Sequence, residues 1–197
     1  LEDYALFMAV KAAQGQAGLA DWPDELRCRE PEALAAAEAA LAESVNYYKA
    51  VQFFFYTQWN ALKAYANGKH IQIVGDIPIY VSPDGADVWA HPELFQLDAH
   101  NAPTAIAGCP PDAFAKDGQA WGNPLYNWNF HRGTDYAWWV SRMWYSFKLY
   151  YVVRIDHFRG FASYWAVPYG SSTAKTGRWV KGPGLDLLNV LTGWFHG

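Results

Sequence analysis

Two short apolar runs, each carrying an aspartate, constrain the fold of this chain most strongly. The first spans residues 71–79 and the second spans residues 151–156. Runs this short and this rich in Ile and Val are typical of buried parallel strands. Because helical patterns precede both runs and follow the second, the order of elements predicts an α/β fold with a parallel sheet. Two strands are too few to close an eight-stranded barrel by themselves.

Helical spacing of apolar residues recurs in five other segments. They are residues 2–14, 30–41, 47–65, 136–150 and 185–195. We therefore expect each of them to form a helix. Residues 81–130 are rich in Pro, Gly, Asp and Asn and show no sustained periodicity, so they are predicted to form a long loop of the kind that carries function.

Composition excludes several classes of function. The formal net charge is −4, without the basic surface that nucleic-acid binding requires. No window approaches the ~18 apolar residues of a membrane span. Cys28 and Cys109 fit no metal or redox spacing, and the six histidines are scattered, which favours a reduced, cytoplasmic setting without a protein metal site. The aromatic content of 18% indicates mainly a core rich in large rings, although a minority could stack on sugars in a cleft.

Both predicted strands place an aspartate at the edge where barrel enzymes build their active sites. These residues are Asp76 and Asp156, although an aspartate after a strand often only caps the next turn. Arg154 precedes Asp156 by two positions, so the two side chains face the same side of an extended strand. The pair could hold a nucleophile ionised or could be a plain ion pair. His157 follows directly and could bind substrate or serve a structural role.

Eight short segments, in order, together resemble the amylomaltase family of 4-α-glucanotransferases, within the wider α-amylase clan. The most specific is Arg-Ile-Asp-His-Phe-Arg-Gly-Phe at residues 154–161, which is similar to that family's nucleophile strand. The others are residues 1–7, 75–81, 86–89, 92–98, 108–112, 118–126 and 177–184. The resemblance covers essentially the whole chain. Gly85 departs from the serine that the family often has at this position, which affects only the local loop.

The resemblance implies a retaining double displacement on α-1,4-glucan. Asp156 would be the nucleophile and Arg154 would orient it, while His157 would hold a hydroxyl of the sugar. Further substrate contacts would come from four more residues. They are Asp76, Trp121, Gln119 and Asn123. Residues 110–118, which include Asp112 as a further substrate contact, resemble a mobile loop over the acceptor side. No cofactor or metal is implied, and the implied partner is a maltooligosaccharide or a longer glucan.

The resemblance also implies a partial (β/α)₈ barrel with an inserted, mostly helical subdomain. We expect residues 1–70 to form the helical subdomain or barrel helices, and residues 71–197 to form part of the catalytic barrel. The family's acid/base glutamate lies on a later strand, whereas every glutamate of this chain precedes Asp156. We therefore expect the chain to be an internal part of a longer protein, unstable and inactive alone. A hydrolase of the same clan and a non-catalytic glucan-binding module remain alternative interpretations.

Overall fold

The computed structural model describes residues 1–195 and shows a mixed α/β fold. The α-helices are Glu2–Ala13 (α1), Asp24–Arg27 (α2), Pro31–Ala40 (α3), Ala42–Gly68 (α4), Ala86–Ala90 (α5), Trp128–Gly133 (α6), Ala137–Leu149 (α7) and Leu185–Trp194 (α8). The strands are Val74–Pro78 (β1), Ala105–Cys109 (β2), Gln119–Pro124 (β3), Val152–Asp156 (β4), Ser163–Pro168 (β5) and Arg178–Lys181 (β6).

The predicted helices are confirmed, and local chemistry explains several of their ends. Pro31 occupies the first turn of α3, where its fixed φ fits and its missing N–H costs nothing. The Asn127 side chain accepts a hydrogen bond from the Phe130 N–H and so caps α6. Helix α4 spans 27 residues, longer than the predicted 47–65; the good helix formers Ala42, Glu43 and Ala66 at its flanks favour the extension.

The two predicted parallel strands pair with each other, in a register that sets Asp76 opposite Arg154 and Pro78 opposite Asp156. The expectation that both are buried is wrong for the described chain. Val74 is 62% exposed and Val152 is 46% exposed. Within residues 1–195, β1 and β4 form a two-stranded sheet in which each has a neighbour on one edge only, so their outward side chains lack the covering layers of a larger parallel sheet.

A four-stranded antiparallel sheet, in the order β3-β2-β5-β6, contradicts the prediction of a long loop at residues 81–130. It also adds strands to a region expected to hold only helices and loops around a parallel pair. Its strands are four to six residues long, and each of the two that lie within residues 81–130, β2 and β3, contains a glycine that weakens the strand pattern. A Cβ at Gly108 would lie 2.1 Å from the Gln119 carbonyl oxygen, so β2 and β3 approach this closely only with glycine there.

One main hydrophobic cluster joins helices from both ends of the chain. Phe7 of α1, Trp89 of α5, Trp139 of α7 and Leu187 of α8 all belong to it. The cluster therefore includes residues on both sides of position 70, and the division into 1–70 and 71–197 stays a prediction. Among residues 1–195, no helix is both long and apolar enough to cross a membrane.

The buried His131 makes stability depend on pH. Its ring is 0% exposed, its Nε2 lies 3.2 Å from the Leu94 carbonyl oxygen, and burial lowers its pKa from 6.5 to about 4. Between these values the unfolded chain binds a proton that the folded chain does not. The His131 contribution to the free energy of unfolding is therefore fully present above about pH 6.5. It is lost as the pH falls toward 4, by up to about 3 kcal/mol.

Urea denaturation of the full-length protein at pH 7.5 and 4.5 measures this loss. His131→Gln should flatten the pH dependence, whatever it does to stability at pH 7.5. His100→Gln, at an exposed histidine, serves as the control and should leave the dependence unchanged. An equal pH dependence in wild type and His131→Gln would show that another group is responsible.

Candidate active site

One guanidinium joins the two aspartates at the carboxyl ends of the parallel strands. Arg154 Nη2 donates to Asp156 Oδ1 at 2.7 Å, and Arg154 Nη1 donates to Asp76 Oδ2. All three side chains are more than half exposed. The geometry follows from the strand: Arg154 and Asp156 share a face, and the parallel register brings Asp76 level with Arg154. The arrangement leaves an anionic oxygen of Asp156 open to an approaching molecule.

His157 turns the chain immediately after the nucleophile candidate. Its φ is 55°, in the left-handed region that is uncommon for residues other than glycine. Its ring stands nearly perpendicular to the Trp121 ring, with centroids 4.9 Å apart. Burial lowers the His157 pKa, an effect that Asp156 opposes and Arg159 adds to. The shift favours the neutral ring, which can both donate and accept a hydrogen bond.

Strand β3 contributes the opposite wall. Trp121 Nε1 donates to Gln119 Oε1 at 3.0 Å, and Asn123 Nδ2 donates to the Val81 carbonyl oxygen at 2.7 Å. Trp121 is 37% exposed. Between Trp121 and Asn123 lies Gly122 with a φ of +82°, a conformation that glycine adopts without strain. The indole is thus fixed by Gln119 and His157 while part of its face stays open to solvent.

These elements enclose a cleft of about 190 Å³. Its lining residues are Pro78, Ile79, Tyr80, Trp121, Asn123, Asp156 and His157. The structure therefore brings Asp156, His157, Trp121 and Asn123 into one cleft. Arg154 contacts this cleft through its ion pair with Asp156, and Asp76 is linked to it through its ion pair with Arg154. Gln119 is linked through its hydrogen bond from Trp121.

Asp112 does not line this cleft within the described part of the chain. Its Oδ1 accepts hydrogen bonds from the backbone N–H groups of Phe114 and Ala115 at 2.8 and 2.7 Å, which is the usual local use of an aspartate in a turn. The carboxylate therefore shapes its own loop, and a contact between Asp112 and substrate stays a prediction.

Tyr80 is a lining residue that the sequence reasoning missed. Its ring is buried, with its centroid 6.4 Å from that of Trp121 and 5.9 Å from that of Tyr126. Its position four residues after Asp76, just past a strand end, was the available signal. No group of three or more His, Cys, Asp or Glu side chains among residues 1–195 is placed to hold a metal ion.

Comparison with known proteins relates this chain to a family. A family model described as 4-alpha-glucanotransferase matches residues 1–196. The 4-alpha-glucanotransferases of Thermus thermophilus and Streptococcus pneumoniae are 51% and 50% identical over 97% and 95% of the chain. The chain covers only 38% and 37% of those two proteins.

Solved structures agree with the sequence comparison. The amylomaltase from Streptococcus agalactiae in complex with acarbose superimposes with a TM-score of 0.97 at 46% identity, over 100% of this chain and 40% of that one. The amylomaltase from Corynebacterium glutamicum shares the fold, with a TM-score of 0.73 at 21% identity over 96% of this chain and 24% of its own. The chain thus spans about two fifths of the length of the Thermus thermophilus and Streptococcus proteins, and it belongs to the 4-alpha-glucanotransferase family.

Proposed function

We propose that this chain supplies the nucleophile of an enzyme that transfers segments of α-1,4-glucan to a sugar acceptor. The observation that carries the proposal is the carboxylate of Asp156, held by Arg154 at a strand end and facing a cleft walled by Trp121 and His157. In the first step an Asp156 oxygen bonds to the anomeric carbon as the glycosidic bond breaks. In the second, an acceptor hydroxyl displaces Asp156, gives its proton to the carboxyl that protonated the leaving oxygen, and restores the original configuration.

The first step needs a proton donor for the leaving oxygen. A retaining enzyme holds this second carboxyl about 5–5.5 Å from the nucleophile. All seven glutamates of the chain precede Asp156 in the sequence, and the cleft-lining residues include none of them. We infer that the acid/base glutamate is contributed by the part of the full-length protein that lies outside this chain.

We also propose an architecture and a cellular location for the full-length enzyme. The parallel pair β1 and β4, connected through α7, supports a reading of the chain as part of a (β/α)₈ barrel, with the antiparallel sheet and neighbouring helices as an insertion. The substrate class is proposed from two sources: the Streptococcus agalactiae amylomaltase, whose structure contains acarbose, and the open Trp121 face in the cleft. We place the enzyme in the cytoplasm and assign it no cofactor.

Incubation of the full-length protein with maltotriose tests this proposal. Transfer predicts free glucose together with a ladder of oligosaccharides longer than maltotriose. Products no longer than maltotriose would identify a hydrolase instead. Binding of maltooligosaccharides without any turnover, unchanged in Asp156→Ala, would identify a binding module.

Trp121 should contribute to substrate binding. Its partly open indole offers a flat apolar surface to a sugar ring, so Trp121→Ala is expected to weaken binding by about 1–3 kcal/mol, the scale of burying one large side chain. KM and kcat for maltotriose measure the effect in the full-length protein. Trp144→Ala, on an exposed face of α7 outside the cleft, is the matched control. Unchanged kinetics in Trp121→Ala would make Trp121 a packing residue.

A further inference from the structure

The backbone just after β1 is tied directly to the nucleophile strand. The Ile79 N–H donates to the carbonyl oxygen of Asp156 at 3.3 Å. The turn that follows Asp156 packs on the same segment, since a Cβ at Gly160 would lie 2.8 Å from Ile79 Cδ1. Pro78, Ile79 and Asp156 also line the cleft together. Any displacement of Ile79 therefore moves the backbone that carries the nucleophile.

Arg142, on α7, donates hydrogen bonds to the backbone of residues 78–79. Its Nη2 donates to the Pro78 carbonyl oxygen at 2.6 Å, and its Nη1 donates to the Ile79 carbonyl oxygen at 3.0 Å. The guanidinium carbon lies 5.3 and 5.0 Å from the ring centroids of Trp138 and Trp139. One planar fork thus bonds two successive carbonyls, while the aromatic rings restrict its rotation.

Tyr126 completes the arrangement. Its hydroxyl donates to the Ile79 carbonyl oxygen at 2.6 Å and accepts from Arg142 Nη1 at 3.2 Å. The ring is 1% exposed and stacks on Tyr80, with centroids 5.9 Å apart. Hydrogen bonds from a charged donor are among the stronger ones in proteins. The Ile79 carbonyl oxygen therefore accepts from two donors, Arg142 and Tyr126. The Ile79 N–H in turn donates to the carbonyl oxygen of Asp156.

We propose that Arg142, assisted by Tyr126, is a positioning residue for the nucleophile. It acts on the backbone of Asp156 through the two peptide units on either side of Ile79, whose carbonyl oxygens it bonds. Neither Arg142 nor Tyr126 is among the cleft-lining residues of the described chain, so neither is a catalytic residue. The inference rests on the proposed role of Asp156. A misplacement of about 1 Å can cost roughly 100-fold in rate, so a loosened Ile79 segment should slow attack without weakening substrate binding.

The test uses the full-length protein and α-maltosyl fluoride without a sugar acceptor. Asp156 displaces fluoride, which leaves with the bonding electron pair and requires little protonation, so the rate of the fluoride burst reports attack by the nucleophile. The burst amplitude counts correctly folded sites. Arg142→Met, Arg142→Lys and Tyr126→Phe are compared with wild type. Arg132→Met is the control, because Arg132 forms an exposed ion pair with Asp186 and is not a cleft-lining residue.

For Arg142→Met we expect an unchanged amplitude per folded protein, a burst rate constant lower by ~10- to 100-fold, and an unchanged KM. Arg142→Lys should lie between it and wild type, since one ammonium cannot reproduce the fork on two carbonyls. Tyr126→Phe should slow the burst by a smaller factor. If Arg142→Met does not fold, the burst rate constant of Tyr126→Phe alone tests the positioning role.

A loss of amplitude with a wild-type rate constant in the remaining sites would assign Arg142 a purely structural role and overturn the inference. So would a wild-type rate constant in all three variants. A wild-type protein that shows neither a burst nor turnover would instead overturn the proposed function, and the inference with it.

Discussion

Asp156→Asn should reduce transfer by the full-length protein to below about a thousandth of the wild-type rate. The neutral amide has no anionic oxygen to attack the anomeric carbon, so the glycosyl ester cannot form. Losses of this size are typical when a covalent nucleophile is removed. The substitution is nearly isosteric and keeps a hydrogen-bond acceptor for Arg154, so folding should be preserved. Glucose release and product ladders from maltotriose measure the effect.

Asp186→Asn is the matched control for this substitution. Asp186 also pairs with an arginine, Arg132, at an exposed position, but it lies on α8 and outside the cleft-lining residues. Exposed ion pairs of this kind contribute at most about 1 kcal/mol, so activity should stay at the wild-type level. If Asp156→Asn kept more than about a thousandth of the wild-type transfer rate and made products of the same lengths as wild type, Asp156 would not be the nucleophile.

Arg154→Met should have the second-largest effect, a fall in kcat/KM of roughly 100-fold or more. The substitution removes the cation that bonds Asp76 and Asp156 together. Two carboxylates at neighbouring strand ends then lose their shared cation, and Asp156 loses the contact that we expect to orient it. Arg154→Lys should recover only part of the activity, because a point-like ammonium cannot bond both carboxylates in the planar geometry of a guanidinium.

Steady-state kinetics on maltotriose, with thermal melting as a check on folding, measure the Arg154 effect. Arg132→Met is again the control, because Arg132 pairs with an exposed aspartate, Asp186, away from the cleft. If Arg154→Met kept more than about half of wild-type kcat/KM, the pairing with Asp156 would be an incidental surface ion pair of little energetic consequence.

The sequence predicted the parts of the fold that depend on local pattern. Helix α7 and strand β4 follow from continuous apolar spacing, which operates within one segment. The antiparallel sheet was missed because its pairing is nonlocal. Strand β2 contains Gly108 and reads as a loop, yet the same glycine lets Gln119 approach. A glycine that breaks a pattern in sequence can thus be the residue that permits a strand pair in space.

Some contacts of the site could be predicted from the sequence, and others could not. That Arg154 and Asp156 face the same side follows from strand geometry alone. The bond between Arg154 and Asp76 required the register of β1 and β4, which the sequence does not contain. Trp121 was identified only through family resemblance. Arg142 was missed because its role depends on side-chain bonds to backbone carbonyls more than sixty positions away, and no sequence motif records such contacts.

The covalent glycosyl-enzyme is the most direct test of the central claim that Asp156 is the nucleophile of a retaining transferase. The full-length protein is acid-quenched during turnover of α-maltosyl fluoride, digested, and analysed by mass spectrometry. We predict one maltosyl group on the peptide containing residues 154–161, with fragmentation placing it on Asp156. A maltosyl group on another carboxylate, or rapid turnover with no adduct under conditions where glycosyl esters survive, would contradict the account.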